Sequence, residues 1–269
     1  MIPIGKSPLI PNQQSAIVQA TMHLTERRRK EIARLARKKH RDETGECIIE
    51  GIRSVDAAID AGADIHDLVV ADSLEIPARW MRPGAVPVTR TDERTLMKLT
   101  DTTTSPGVLA VVGIPAFGPE ALANARRILL LDGVQDPGNV GTLIRTAAWF
   151  GVDAVVAGLG TADFWSPKTL RATMGGVWEI PLLTVHSVAE ALHGWGAAVF
   201  VADMEGTPVD EWMVPERSVL VLGSEAHGVS PAVRSLATGA VSIPRRGRSR
   251  GVESLNVAVA GGILIAAWS

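Results

Sequence analysis

The chain has 269 residues, 46% of them hydrophobic and 21% charged, enough apolar material for the core of one large domain or two ordinary ones. The single cysteine, Cys47, rules out an internal disulfide or a cysteine-based metal cluster, and the six histidines form no H-x-x-x-H or H-E-x-x-H pattern, so no metal site is expected. The net charge of −2 does not announce a nucleic-acid binder, the opening MIPIGKSPLIPNQQ lacks the basic-then-apolar order of a signal peptide, and the apolar run 255–268 is too short to span a bilayer; no membrane and a cytoplasmic location are expected.

Residues 1–24, with Pro3, Pro8, Pro11 and the polar NQQS, read as a flexible tail. A first α/β unit follows over 25–113. It opens on a basic helix, RRRKEIARLARKKHR (27–41), with nine Arg or Lys against one Glu. That run is either a solvated face or a phosphate-tracking surface. The cations that would do the tracking are Arg27, Arg28, Arg29, Lys30, Lys38 and Lys39. Next come a strand at ECIIEG (46–51), an Ala-rich helix at 54–62, strands at LVVAD (68–72) and VPVTR (86–90), a helix at 91–99 and an apolar strand at GVLAVVG (107–113).

The Gly- and Pro-containing stretch 114–126 reads as a linker, and 127–269 as a second domain. There, near-continuous apolar strands alternate with helices, the pattern of a mostly parallel sheet covered on both faces. In such sheets ligands bind beyond the carboxyl ends of the strands. Three strands run into polar, Gly-rich loops, in LLLDGVQDPGN, VLVLGSEAHG and VSIPRRGRSRGVESLN, which should share one end of the sheet.

Each loop carries candidate groups. The stretch DPGNVGTLIRTAAWFG (136–151) reads as a buried helix that nevertheless contains Arg145. A guanidinium is costly to bury without an anion, so Arg145 is either half of an ion pair at a core edge or part of a phosphate or substrate site. Asn139 suits the cap of that helix. In GSEAHGVS (223–230), Gly223 and Gly228 allow close approach to main chain, Glu225 can accept a hydrogen bond, and His227 reads as an ordinary loop residue. No G-x-S-x-G, G-x-G-x-x-G or Walker-type motif occurs at a strand-to-helix turn. Ser254 and Asn256 stand where the last apolar helix begins; one can cap it, leaving the other free for a ligand or a catalytic partner. The arginines of RRGRSR (245–250) lie in the same Gly-containing loop.

Taken in order, NVGTLIRTA (139–147), VLVLGSEAHGVS (219–230) and VSIPRRGRSRGVESLNVAVA (241–260) resemble the motifs of the SpoU/TrmH family of RNA ribose 2′-O-methyltransferases, within the SPOUT class. CIIEGIRSVDAAIDAG and LTDTTTSPGVLAVV resemble the ribosomal-protein-like substrate-binding domain that many members carry. The resemblance implies a smaller N-terminal α/β RNA-binding domain before a C-terminal α/β domain with a trefoil knot, and a homodimer formed through that second domain. It implies S-adenosylmethionine as cofactor, held by Leu222, Gly223, Ile243, Pro244 and Leu255. It implies catalytic roles for Asn139, Arg145, Glu225, Ser254 and Asn256, with Arg145 gripping a phosphate beside the target ribose rather than acting as base. RRGRSR is more basic than the family's usual stretch, and Arg245, Arg246 and Arg248 are expected to add RNA contacts. Ribosomal RNA is the expected substrate; the alternatives are transfer RNA, or a non-catalytic RNA-binding protein that kept the fold.

Overall fold

The computed structural model describes residues 22–269 apart from 82–85, 101, 103, 193, 194, 248–250 and 252. The expected tail over 1–21 and the expected RNA contact Arg248 lie outside the described residues.

The N-terminal part contains β1 (Met22–His23), α1 (Glu26–Arg34), α2 (Lys38–Thr44), β2 (Glu46–Glu50), α3 (Ile52–Asp60), β3 (Ile65–Ala71), β4 (Val88–Thr91), α4 (Glu93–Leu99) and β5 (Val108–Gly113). Its sheet runs β1-β4-β3-β5-β2, parallel as far as β3 and antiparallel from there. Met22 and His23, expected from the sequence to lie in the tail, instead pair with β4. Side chains alternate across a strand. One face accordingly buries Ile48, Val69, Leu109 and Val111 under Ile32 and Leu35 and under Leu96 and Leu99 of α4. The other face buries Cys47, Ile49, Val70 and Ala110 with Val55 and Ala58 of α3.

The expected single basic helix is broken at 35–37. The cause is Arg41, which is buried rather than solvated: its Nη1 donates to the Leu35 carbonyl at 2.7 Å, and its Nη2 pairs with Asp163 in the second half of the chain. A continuous helix would give the Leu35 carbonyl to a backbone N–H four residues on.

The C-terminal part contains β6 (Arg127–Asp132), α5 (Pro137–Trp149), β7 (Ala154–Ala157), α6 (Pro167–Thr173), β8 (Leu182–Thr184), α7 (Val188–Leu192), β9 (Ala198–Pro208), β10 (Ser218–Gly223), α8 (Pro231–Arg234), β11 (Gly239–Ser242) and α9 (Val257–Trp268). Its sheet order is β11-β9-β10-β6-β7-β8, and every pair is parallel. Leu129, Leu131, Val155, Leu220 and Leu222 face α5 and α9, while Ile128, Leu130, Val156, Val219 and Val221 pack against Trp195 and Val233 on the other side.

Helix starts follow local chemistry. Asp136, Ser166 and Ser230 each cap a helix whose first residue is proline, where a missing N–H costs nothing and φ is already helical. The apolar cluster under α3 continues into Leu170, Val177, Leu143 and Trp268, so the two parts share one buried core. Two ion pairs cross the same junction, Arg41 with Asp163 and Arg171 Nη1 with Glu50 Oε2 at 2.8 Å.

Candidate active site

β6 and β10 lie side by side in the middle of the sheet, and the loops after both open at the same end, where the chain entering α9 also arrives. Asp132, the last residue of β6, is buried and accepts the Ser230 N–H at 2.6 Å, tying the first loop to the second. Within the second, Ser224 and Gly228 exchange both backbone hydrogen bonds, at 3.0 and 2.8 Å. This closes a tight turn that presents Ala226 and His227 outward, together with Glu225. Gly223 is obligatory there: any side chain would run into the main chain of Gly228 and Val229.

At this end three polar side chains from distant stretches form a directed relay. The Asn256 Oδ1 accepts from the N–H groups of Ala258 and Val259, at 2.9 and 3.2 Å. Its Nδ2 donates to Asn139 Oδ1 at 3.1 Å, and Asn139 Nδ2 donates to Glu225 Oε1 at 2.7 Å. Each amide is thus held in one orientation, and the relay ends on a carboxylate whose other oxygen has no hydrogen-bond partner among the described residues. Asn256 is the cap of α9, one of the two uses open to that position. Asn139 does not cap α5 as expected. Asp136 does, accepting from Gly138 N at 2.8 Å and Asn139 N at 3.0 Å, which frees the Asn139 amide for the relay.

Asp136 is also paired with Lys168 Nζ of α6 at 3.1 Å. The lysine, followed by the Asn139 and Gly138 N–H groups, holds the Asp136 carboxyl below its ordinary range. Neither Asp136 nor Lys168 figured among the candidates. The signal for the first was present, since Asp before Pro at a helix start is a cap signature. Lys168 has no comparable mark, because its partner is 32 positions away.

Arg145 is not buried. Thr142, Arg145 and Trp149 share the outward face of α5, and Arg145 makes no hydrogen bond or ion pair among the described residues. Its setting is therefore neither a core-edge pair nor a buried charge, but a guanidinium offered to solvent two turns from the cap.

Beside the relay lies a cleft of about 550 Å³ lined by Val241, Ile243, Pro244, Leu255 and Leu264, with Asp203, Glu253 and Ser254 as polar neighbours. Three of the five expected cofactor positions, Ile243, Pro244 and Leu255, form its wall. Leu222 is instead buried beneath α9, where Gly261 leaves room for it and for Leu143. Gly223 shapes the neighbouring turn. The Glu205 N–H, then Arg234, hold the Asp203 carboxyl below its usual range. Arg245 and Arg246 border the same cleft, and Arg246 sits 3.6 Å from Asp210.

The basic run behaves differently. Arg27 pairs with Glu31, Arg29 and Lys30 with Glu26, Lys38 with Asp42 and Lys39 with Glu43. Arg28 is partly buried among Glu46, Asp67 and Glu31. These six cations thus have counter-charges, four of them inside α1 and α2, whereas Arg34 and Arg37 of the same run are exposed and make no ion pair among the described residues. Burial pushes the Cys47 thiol up to about 12, so it is no nucleophile.

Residues 126–266 match the SpoU rRNA Methylase family, and residues 27–110 match the MRM3-like substrate binding domain. The chain belongs to the SpoU rRNA methylase family. Among similar proteins is the 23S rRNA (guanosine(2553)-2′-O)-methyltransferase RlmP of Bacillus subtilis, 36% identical, the alignment covering 88% of this chain and 93% of that one. The SpoU methyltransferase AviRb of Streptomyces viridochromogenes, solved in complex with AdoMet, superposes with a TM-score of 0.79 at 26% identity, over 90% of this chain and 97% of its own. An AdoMet-bound rRNA methyltransferase from Sinorhizobium meliloti gives 0.78 at 29% identity, over 91% and 94%. The likeness of this SpoU methylase to its relatives therefore spans both sheets.

Proposed function

We propose that this SpoU methylase transfers the methyl group of S-adenosylmethionine to a ribose 2′-hydroxyl of RNA, ribosomal RNA in the first place. The observation that carries this reading is the Asn256–Asn139–Glu225 relay, with an exposed, unpaired Arg145 on the helix that holds its middle member. When bound, S-adenosylmethionine supplies an electrophilic methyl on a sulfonium. The cleft suits it: its volume falls in the ordinary range for small-molecule sites. Ile243, Pro244, Leu255 and Leu264 offer flat apolar walls, and Asp203 and Glu253 offer carboxylates to its cationic groups.

Arg145 binds the phosphate beside the target ribose and thereby aligns the hydroxyl. A guanidinium stays protonated at any working pH, so its role is positioning and electrostatic, not that of a base. Glu225 has one oxygen fixed by Asn139 and offers the other to the incoming hydroxyl. Ser254, next to the cleft and to Asn256, orients the hydroxyl or the cofactor. Residues 25–113 grip folded RNA, with Arg245 and Arg246 adding phosphate contacts at the mouth of the cleft.

The C-terminal segment threads the family's trefoil knot. The path from the edge strand β11 back to α9, which packs on α5 and the central β10, supports that reading. Two copies pair through the C-terminal domain, along α9, whose outer face leaves Val259 53% and Ile263 41% exposed. The enzyme works in the cytoplasm; among the described residues no helix is long and apolar enough to cross a membrane.

The test is transfer of labelled methyl from S-adenosylmethionine to unmodified ribosomal and transfer RNAs, followed by alkaline digestion. A methylated 2′-hydroxyl cannot attack its phosphate, so label in alkali-resistant dinucleotides of rRNA is expected. Label in mononucleotides alone would refute ribose chemistry, and label confined to tRNA would refute the rRNA assignment.

A further inference from the structure

Outside the site already described, Arg53 on α3 is exposed and makes no ion pair among the described residues, unlike Arg27, Arg28, Arg29, Lys30, Lys38 and Lys39 on α1 and α2. The carboxylates nearest to it in sequence are committed elsewhere. Glu50 holds Arg171, and Asp56 holds both Arg79, with Nε at 2.7 Å, and the Trp80 indole N–H, also at 2.7 Å. Four residues beyond Arg53, and so on the same face of the helix, is Ala57.

Ala57 leads directly to the active site. It lies against Gly175, where an added Cβ would collide with the Ala57 methyl and where φ is +97°, a conformation that favours glycine. The next residue, Gly176, is packed on Arg145: a Cβ there would be 3.2 Å from the Arg145 Cα. Two consecutive glycines are therefore the whole spacer between α3 and α5. Consecutive Cα atoms are about 3.8 Å apart, which puts the Ala57 and Arg145 backbones on the order of 10 Å from each other. Arg53 stands about 6 Å further along α3. Met174, which precedes the glycines, is also exposed and contributes no charge.

We propose that Arg53 and Arg145 form one phosphate-binding row across the junction, on which the RNA strand next to the target ribose lies. This rests on the RNA reading above and specifies the surface of the N-terminal part that takes the strand. Two guanidinium groups at such spacing, neither with a carboxylate of its own, suit a polyanion with regularly spaced charges. On α1 and α2, by contrast, Arg27, Arg28, Arg29, Lys30, Lys38 and Lys39 are each held by a carboxylate. The junction also explains why the strand would be positioned and not merely attracted, since the Arg171–Glu50 pair holds α6 to β2 and the shared core joins Val55 and Ala58 of α3 to Leu143 and Ile144 of α5.

The test is filter binding of the full-length protein to an unmodified 23S rRNA transcript over a range of salt concentrations, with cofactor affinity measured by calorimetry. R53A is expected to weaken RNA binding about tenfold and to lower the slope of log K against log salt by about one, the signature of one lost phosphate contact. R53K should recover most of the affinity. R217Q, at the amino end of β10, should change nothing, and cofactor affinity should be equal throughout. R53A with wild-type affinity and slope, beside a weakened R145A, would overturn the row while leaving the RNA reading intact. A wild-type protein that binds the cofactor but retains no transcript would take down both. Weak binding by R53A and R53K alike, with lost helical signal, would mark Arg53 as a structural residue and overturn the row too.

Discussion

Asn256 serves two masters with one amide, and the two can be separated. Its oxygen caps α9 and its nitrogen positions Asn139. N256D keeps the acceptor and loses the donor, so its stability in urea should match wild type within about 0.5 kcal/mol. Its methyl transfer should nevertheless fall about 10²-fold, the scale of losing one preorganised hydrogen bond at a reacting centre. N256A loses both functions and should also give up about 1 kcal/mol of stability. The sequence made this set of residues legible because its motifs are worded like the family's, and the positions Asn139, Glu225 and Asn256 do meet. It did not disclose which asparagine caps which helix. Both are competent for that job, and only the presence of Asp136 three residues earlier decides it. Nor did it disclose that Arg145 faces outward, since an arginine on an apolar helix reads the same whether its face is covered or bare.

Among elements, the strands were the readable part. Continuous runs such as ILLL and VLVL have few alternatives to a doubly covered parallel strand. The basic helix was misread because one buried contact, from Arg41 to the Leu35 carbonyl, outweighs the helical propensity of the stretch. The sheet edge at β2 offers a test of a different kind. Glu46 pairs with Gly113 of β5, and His66 of β3 reaches across this edge to Glu46, at 2.6 Å, and to Asp64, at 3.0 Å. Hydrogen bonds to Glu46, then to Asp64, raise the His66 pKa above its ordinary value. A raised folded-state pKa contributes stability that is complete below the unfolded value of about 6.5 and is lost as pH climbs through the folded one. The stability gap between wild type and H66N should therefore be wider at pH 6 than at pH 9 in parallel urea titrations.

For the molecule as a whole, the junction determines whether binding surface and chemistry act as one body. Glu50 is almost fully buried, and one of its carboxylate oxygens has no hydrogen-bond partner among the described residues, so Arg171 is its main compensation. R171M would leave that charge stranded, at a cost of about 3–5 kcal/mol in thermal or urea unfolding. Adding E50Q in the same chain should return most of the loss. If the double variant is as unstable as R171M alone, the packing of the arginine stem and not its charge holds the junction.

The relay joins residues 86 and 117 positions apart. That has a consequence for time as well as for geometry. Contacts this remote in sequence close late, after the local helices and hairpins have paid for chain entropy. On dilution from denaturant, far-ultraviolet ellipticity should recover first, and the capacity to take up S-adenosylmethionine should follow in a separate, slower phase. Stopped-flow ellipticity set against cofactor capture at matched delays would expose the lag. A freshly made chain would then pass through an interval in which it is folded by most optical criteria and still catalytically mute.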